Sequence, residues 1–532
     1  MAAFAAIACS YRHAPASQPA AVSAEDITVL YDNDVHCSVD GYAHMAALKA
    51  EKASHGPVAL VSAGDYLQGG SLGAASKGQW IVDIMNATGY DAVTLGNHEF
   101  DYSVPRMQEL MDALSATTVC CNLIDLRAGK RMYAPYAILE LGGRKIAFLG
   151  VATPYSFNSS TPTYFQDEEG NYVYSLCTDT FYDTIQNHVD DARNQGADMV
   201  IAVVHLGYGP DGRDPINATE MICRTEGIDA VIDGHTHTTV PSEKVYDRAG
   251  KPVHYTQTGS HFENLGVMTI GADGSISTEL IPTKDVREDA RVKAVIDSVK
   301  SEYAKRSERK VGSSEVTMHA VDDKGEWLVR NAEQAIGDFC ADAFRAVLGT
   351  EIAMLGGGSI RNDIKEGEVT WGDLFSVHPF GSVGCIAELK GSLILDVLEM
   401  GVSSWPANFG GFLQVSGLTY SFDPSVDSPV VFDENKSFVR IDPEPRRIRE
   451  VKVLDKSTGK YEPLDPERSY TVGSTDYLLR ESGDGYSLLK NVGTNQSIED
   501  AGILEKYLEE QLGGTVPSSL YGKSADRIKI LR

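Results

Sequence analysis

The stretch Ile27-Thr28-Val29-Leu30-Tyr31-Asp32-Asn33-Asp34-Val35-His36 sets the pattern for the first half of the chain. A short β-rich run ends in a cluster of acid, amide and imidazole side chains. The same thing happens four more times. Val58–Val61 runs into Gly64-Asp65, and Ala92–Leu95 into Gly96-Asn97-His98-Glu99-Phe100-Asp101. Met199–Val204 ends at His205, and Ala230–Ile232 at Asp233-Gly234-His235-Thr236-His237. Lys145–Val151 is a further β-rich run, and helical patterns cover Tyr42–Lys52, Trp80–Thr88, Pro105–Leu114 and Thr180–Asn194. Strand–helix alternation of this kind predicts an α/β layered domain with a substantial sheet. In such folds ligands bind outside the carboxyl ends of the strands, so the five polar strand ends are expected to converge. Gly64, Gly96 and Gly234 are expected to let the backbone turn sharply beside that site.

Taken singly, each fragment has an ordinary explanation: a turn, a helix cap, a satisfied core histidine. Their shared rule of placement is what points to a metal centre. Oxygen and imidazole donors dominate, which suits Zn²⁺, Mn²⁺ or Fe²⁺ and not a thiolate site. The eight cysteines form no CxxC pair, so neither a disulfide framework nor a zinc ribbon is indicated.

The whole chain has 532 residues, enough for two to four domains at about 100–200 residues each. Lys+Arg 47 against Asp+Glu 75 gives a net charge of −28, which argues against a nucleic-acid polymer as partner. A small anionic substrate remains compatible, because bound metal ions and a few arginines reverse the sign locally. No apolar run approaches the ~20 residues of a membrane span. Residues 1–24 read as a leader: an Ala-rich run from Ala2 to Ala8 meets Cys9, followed by a Pro/Ser/Ala-rich stretch. This resembles a bacterial lipoprotein signal, with Cys9 as the point of lipid attachment and a periplasmic, envelope or secreted location. The first domain is expected over residues 25–284. A charged segment with Val292, Val295, Ile296 and Val299 at helical spacing is read as a connecting helix over 285–310. A second domain, 311–532, is expected to open with a helix over Trp327–Leu348.

The order D-x-H, G-D, G-N-H-E-x-D, V-H and G-H-x-H resembles the calcineurin-like metallophosphoesterases. With a second domain behind it, the chain resembles the 5′-nucleotidase/UDP-sugar hydrolase family from about residue 26 onward. The resemblance implies a layered αββα domain followed by a separate α+β substrate-binding domain, and a site for two divalent ions. Asp34, His36 and His237 would hold one ion, and Asn97, His205 and His235 the other, with Asp65 bridging. One carboxylate oxygen per metal sets a short separation, and the pair activates water and stabilises phosphoryl charge. His98 would face the phosphate with Asp101 orienting its ring. Glu99 is read as structural, and Asp233 as a partner of a ligating histidine.

In the second domain, Gly356-Gly357-Gly358-Ser359-Ile360-Arg361 resembles the family's substrate loop, and Arg330 matches a second family arginine. Guanidinium forks suit phosphate oxygens. The loop departs from the family at its first position, where Gly356 stands in place of a frequent Asn that contacts the base. His378-Pro379-Phe380-Gly381 and Tyr477 with Gly483-Asp484-Gly485-Tyr486 resemble a base clamp. Phe380 and Tyr477 would stack on the base and Asp484 would accept from ribose hydroxyls. The Tyr477–Asp484 spacing is one residue longer than in some relatives, and a core position is the competing reading for Tyr477. His378 is read as structural.

The function implied is release of phosphate from nucleoside 5′-phosphates by a metal-dependent phosphoric monoester hydrolase. Alternatives on the same architecture are a 2′,3′-cyclic phosphodiesterase/3′-nucleotidase or a UDP-sugar hydrolase. An inactive nucleotide-binding surface protein would be expected to have lost at least one ligand, and here every ligand position is filled.

Overall fold

In the central strands, alternate side chains point to opposite faces, and both faces are apolar. Ile27, Val29, Tyr31, Ala59, Val61, Phe148, Ile201 and Val203 are buried together in one cluster. Leu30 and Leu60, on the opposite face, join a second cluster with Met45, Ile81, Met107 and Leu110. Leu149, Ala202 and Val204 join a third with Phe181, Ile185 and Val189. Runs buried on both faces belong to sheets covered on each side. These observations come from a computed structural model that describes residues 25–159, 162–167, 171–209, 215–432, 438–480, 482–489 and 492–531. The leader reading, Cys9 included, lies outside the described residues.

Two six-stranded sheets pack face to face. The first has the order Ile276–Pro282, Asn264–Ile270, Ile27–Asp32, Val58–Ser62, Ala92–Val93, Thr117–Thr118. The second has the order Thr239–Tyr246, Pro252–Thr258, Ala230–Ile232, Met199–His205, Arg144–Ala152, Tyr136–Leu141. Ile27–Asp32, Val58–Ser62 and Ala92–Val93 run parallel, as do Arg144–Ala152, Met199–His205 and Ala230–Ile232. Helices Gly41–Ala53, Gln79–Thr88 and Val104–Ala113 cover one outer face, and Phe181–Asn194 the other. The expected αββα layering is what forms. The third strand is shorter than expected, ending at Val93, because the chain leaves the sheet to place Asn97 and His98.

The segment after the first sheets is helical over Ala290–Ser307, shorter than expected at both ends. Asp289 caps it, accepting from the N–H groups of Arg291 and Val292 at 3.0 and 2.9 Å. Val292, Ile296 and Val299 are buried against the helices of the first domain, so this helix is docked there and is not a free linker. The chain then enters the strand Lys310–Ser314.

The second half is built on a five-stranded sheet of order Leu413–Ser416, Ile352–Gly356, Ser469–Thr475, Val383–Lys390, Gly493–Glu499. Ala353 and Leu355 face the helix Ala335–Leu348, while Ile352 and Met354 face Gly391–Gly401. A separate four-stranded sheet contains Lys460–Pro463, Ile448–Asp455, Leu418–Phe422 and Ile528–Ile530. The expected helix over Trp327–Leu348 begins only at Ala335. The buried side chain of Gln414 is the reason. Its Nε2 donates to the carbonyls of Val329 and Ala332, and its Oε1 accepts from the N–H of Gln334. Backbone groups that a helix would have paired internally are thus paired elsewhere, and Arg330 sits in irregular chain.

Contacts between the halves are both apolar and charged: Ala74, Ala75 and Tyr303 pack against the core of the second half. Lys77 pairs with Glu499 at 3.1 Å and Arg309 with Glu505 at 2.6 Å, and the Arg306 guanidinium lies 4.1 Å over the Trp371 ring. No helix among the described residues is long and apolar enough to cross a membrane.

Candidate active site

The parallel strands deliver their polar ends to one place. Asp34 and His36 follow the first strand, Asp65 the second, Asn97 and His98 the third. His205 closes its strand, and His235 and His237 follow Ala230–Ile232. Nε2 of His36 and Nε2 of His237 face each other at 3.0 Å, and Asp34 Oδ1 is 3.4 Å from the latter. Asp65 Oδ2 is 3.0 Å from His205 Nε2 and 3.9 Å from His36 Nε2, between the two groups. His235 Nδ1 lies 2.9 Å from Asn97 Oδ1. Asp34, His36 and His237 form one cluster with donor atoms within 4.8 Å of one another, and Asp34, Asp65 and His205 a second.

This donor set fits divalent ions. Two imidazole nitrogens sharing one ion at ~2.1 Å each stand about as far apart as those of His36 and His237. His205 Nδ1 donates to the Ala63 carbonyl at 2.7 Å, while its buried Nε2 has no aligned hydrogen bond and faces the Asp65 carboxylate. A buried nitrogen and a buried carboxylate held face to face demand positive charge. In the protein alone a proton supplies it: burial works against protonation, but Asp65 and Asp34 overcome it and raise His205 to about 10.

The backbone around these residues is strained. Asp34, His36, Asp65, His235 and His237 all have positive φ, at 51, 45, 60, 82 and 56°. For non-glycine residues this costs roughly 1–2 kcal/mol each, and it concentrates at functional sites. Gly64, with φ 90°, makes the expected sharp turn. Gly96 and Gly234 act otherwise, by allowing close approach. A Cβ at 96 would lie 2.1 Å from Asp65 Oδ1, and one at 234 would lie 2.8 Å from Asp34 Oδ2.

Glu99 holds this backbone in place. Fully buried, it accepts from the N–H groups of Gly96, Asp65, Tyr66 and Leu67 at 2.6, 2.8, 2.8 and 3.2 Å. Its structural reading therefore has a definite content: it ties the loop of Asp65 to the loop of Asn97. Glu99→Ala leaves those donors buried without an acceptor and should destabilise the fold by roughly 3 kcal/mol. Denaturant unfolding of the variant checks this, and an unchanged midpoint refutes it.

His98 Nδ1 is 2.6 Å from Asp101 Oδ2, and its N–H donates to Asp65 Oδ1 at 2.9 Å. Burial alone would lower the imidazole, but Asp65 and Asp101 hold it at about 10. Asp233 does not take the place expected of it. It accepts from the N–H groups of Leu206 and Gly207 and from the Tyr255 hydroxyl, and so shapes the backbone after His205, with no hydrogen bond to a histidine ring among the described residues. The orienting partner of His205 is a backbone carbonyl instead.

Two neighbours escaped the sequence reading. Asn33 donates to Asp34 Oδ2 at 2.7 Å while accepting from Thr258, and the His261 ring lies beside that of His36, tilted by 34° with centroids 5.4 Å apart. Asn33 carried a signal, being part of the first polar strand end. His261, after a strand of no special composition, carried none.

A cleft of about 430 Å³ lies between the two halves, reaching Asp101 but lined by none of the candidate metal ligands and not by His98. Gln68, Asp101 and Tyr102 line it from one side, and Arg330, Arg361, Phe380, Tyr477 and Asp484 from the other. Phe380 and Tyr477 are 46% and 41% exposed, which removes the core reading of Tyr477. A Cβ at Gly483 would strike the Tyr477 ring at 2.3 Å, so glycine there admits the aromatic. Asp484 is raised by its burial, with Arg330 and Arg361 pulling it back. Gly356 does not line the cleft, unlike Gly358, Ser359 and Gly410. A Cβ at 356 would already stand 3.1 Å from the Gly410 carbonyl and 3.3 Å from Asp484 Oδ2, so the turn at Gly410 fills the space of a larger residue. His378 is fully buried beneath this loop and held low, at about 4, by that burial.

A family model described as the 5′-nucleotidase C-terminal domain matches residues 310–491. The 5′-nucleotidase of Rattus norvegicus is 26% identical, over 91% of this chain and 88% of its own length. These matches support the 5′-nucleotidase family of calcineurin-like phosphoesterases for this chain. Another relative, the trifunctional nucleotide phosphoesterase protein YfkN of Bacillus subtilis, is 27% identical over 94% of this chain, which spans only 35% of that protein. The solved structure of a 5′-nucleotidase precursor from Thermus thermophilus superposes with a TM-score of 0.56 at 24% identity, covering 95% of this chain and 99% of that one. A second family model, described as a bacterial capsule synthesis protein, matches residues 63–259, within the paired sheets. The family's two-part architecture thus extends over nearly the whole chain.

Proposed function

We propose that this protein is a two-metal phosphohydrolase that releases inorganic phosphate from nucleoside 5′-phosphates. One observation carries the reading: a single cleft is bordered by Asp101, the partner of His98, and by two arginines, two exposed aromatics and a carboxylate. Asp34, His36 and His237 would hold one ion, Asn97, His205 and His235 the other, and Asp65 both. Bound there, the ions supply an activated water and neutralise phosphoryl charge. With Nδ1 committed to Asp101, His98 has Nε2 left to donate to a phosphoryl or leaving oxygen. Arg330 and Arg361 bind the phosphate and sugar side, Asp484 accepts from the ribose, and Phe380 and Tyr477 sandwich the base. Stacking accepts any base, and with Gly356 offering no side chain, base selectivity is expected to be broad. The leader reading adds an envelope or secreted location, where nucleotide catabolism supplies nucleoside and phosphate.

A panel of AMP, 3′-AMP, 2′,3′-cyclic AMP, ATP and UDP-glucose, assayed with each of several divalent ions, tests this. AMP should have the highest kcat/KM, and a clear preference for 3′-AMP, the cyclic nucleotide or UDP-glucose would replace the reading with its alternatives. Arg361→Ala should weaken every nucleotide. Phe380→Ala should penalise AMP over ribose 5-phosphate by about 1–3 kcal/mol, the worth of stacking one base. Equal losses on the two substrates would remove the clamp.

A further inference from the structure

The two cleft arginines stand close together, with Asp484 as an acidic neighbour that feels both of them. Among the described residues neither makes an ion pair, and Arg330 Nε is buried with no hydrogen-bond partner. Burial and then the like charge of Arg361 pull the Arg330 guanidinium below its ordinary value. What both share is an aromatic ring. The Arg330 guanidinium lies 4.2 Å and that of Arg361 5.1 Å from the ring centroid of Trp327. Arg361 also lies 5.3 Å from the Phe380 ring, which places it between the indole and one wall of the base clamp.

We infer that Trp327 is a positioning residue that holds Arg330 and Arg361 as a preorganised anion fork. The inference rests on the nucleotidase reading of the cleft. An indole face attracts a guanidinium through its ring quadrupole while leaving the N–H donors free, whereas a carboxylate partner would occupy them. It also offsets the repulsion of two like charges at the moment no anion separates them. The backbone gives the ring a fixed seat: Trp327 pairs with Val321 across a tight turn, and the Leu328 N–H donates to the Ala320 carbonyl at 2.9 Å. Gln414 pins Val329 and Ala332 on the far side, so ring and Arg330 move as one piece. Arg361, held by its own N–H donating to the Val377 carbonyl at 2.9 Å, meets them from the other loop.

The test uses the full chain and a phosphonate analogue of AMP whose P–C link is not hydrolysed, with adenosine as the phosphate-free control. Trp327→Leu should weaken the phosphonate about tenfold and adenosine less than twofold, because only the phosphate side loses its fork. Trp327→Phe, which keeps an aromatic face, should stay within about threefold of the parent. A folded Trp327→Leu protein that binds the phosphonate normally overturns the inference, as does a Phe variant as weak as the Leu variant, or an equal loss on adenosine. If the Leu variant does not fold, fluorescence decides. The emission difference between the parent and Trp327→Phe should change when the phosphonate saturates the protein, and an unchanged difference overturns the inference. Arg361→Ala separates the two levels. If it leaves phosphonate binding intact, the nucleotidase reading itself fails. If it weakens binding while Trp327→Leu does not, only the role of Trp327 falls.

Discussion

Asp65→Ala should empty the candidate metal centre and abolish turnover. Asp65 lies between both donor groups, 3.0 Å from His205 Nε2 through Oδ2 and 3.9 Å from His36 Nε2 through the same atom, and shares that place with Asp34, whose Oδ1 is 3.4 Å from His237 Nε2 and 3.9 Å from His205 Nε2. Asp65 is also the buried negative charge to which His205, His98 and His36 respond, and despite burial those imidazoles hold it well below the usual carboxylate range. Without it, two ions bound there would lose a shared ligand and the charge that would keep them close. Elemental analysis should show the metal content falling from two per chain to one or fewer. The accompanying loss in kcat/KM should be roughly 10³-fold or more, about 4 kcal/mol of transition-state stabilisation. Asp65→Asn keeps the shape and removes the charge, so it should lose metal too. A full metal complement in an active Asp65→Ala protein would remove the two-metal reading.

The residues legible in the sequence were those whose chemistry lies next to their own secondary structure. Asp34, Asp65, His98 and His205 each end a β-rich run, so finding the strands found the site. What was hidden depends on partners far along the chain. Nothing near Trp327 announces that Gln414 will take the carbonyls of Val329 and Ala332, and the apolar spacing there reads as helix until that buried amide is seen. Asp233 misled for the opposite reason. Its position beside Gly234-His235 suggested a histidine partner, yet its carboxylate turns back to the chain after His205 and the Tyr255 hydroxyl. The Gly-rich loop was recognised as a whole, but which of its glycines faces the cleft depends on Gly410, which packs against Gly358 and Asp484 from another segment. Local pattern located the chemistry, and long-range backbone contacts set its orientation.

His98→Ala should separate catalysis from metal binding. His98 adjoins Asn97, and its ring joins His36 and Asp65 in a third cluster close enough to hold an ion, so proximity alone does not assign its role. Its hydrogen bonds favour a role in proton donation. Nδ1 is engaged by Asp101 at 2.6 Å, and the backbone N–H is spent on Asp65 Oδ1. Asp65 and Asp101 raise the ring to about 10, as Asp65 and Asp34 raise His205 in the protein alone, so it is the Nδ1 bond to Asp101 that separates the two roles. Asp101 itself lines the cleft between the two halves. The variant should therefore keep its metal while kcat falls by about 10²–10⁴, the range for a lost acid or electrostatic stabiliser. Asp101→Asn should reproduce part of that loss, because the ring stays but loses the charge that orients and protonates it. Metal stoichiometry decides between the roles: a drop in His98→Ala would make His98 a ligand, and the proton-donating role would pass to another group on the cleft.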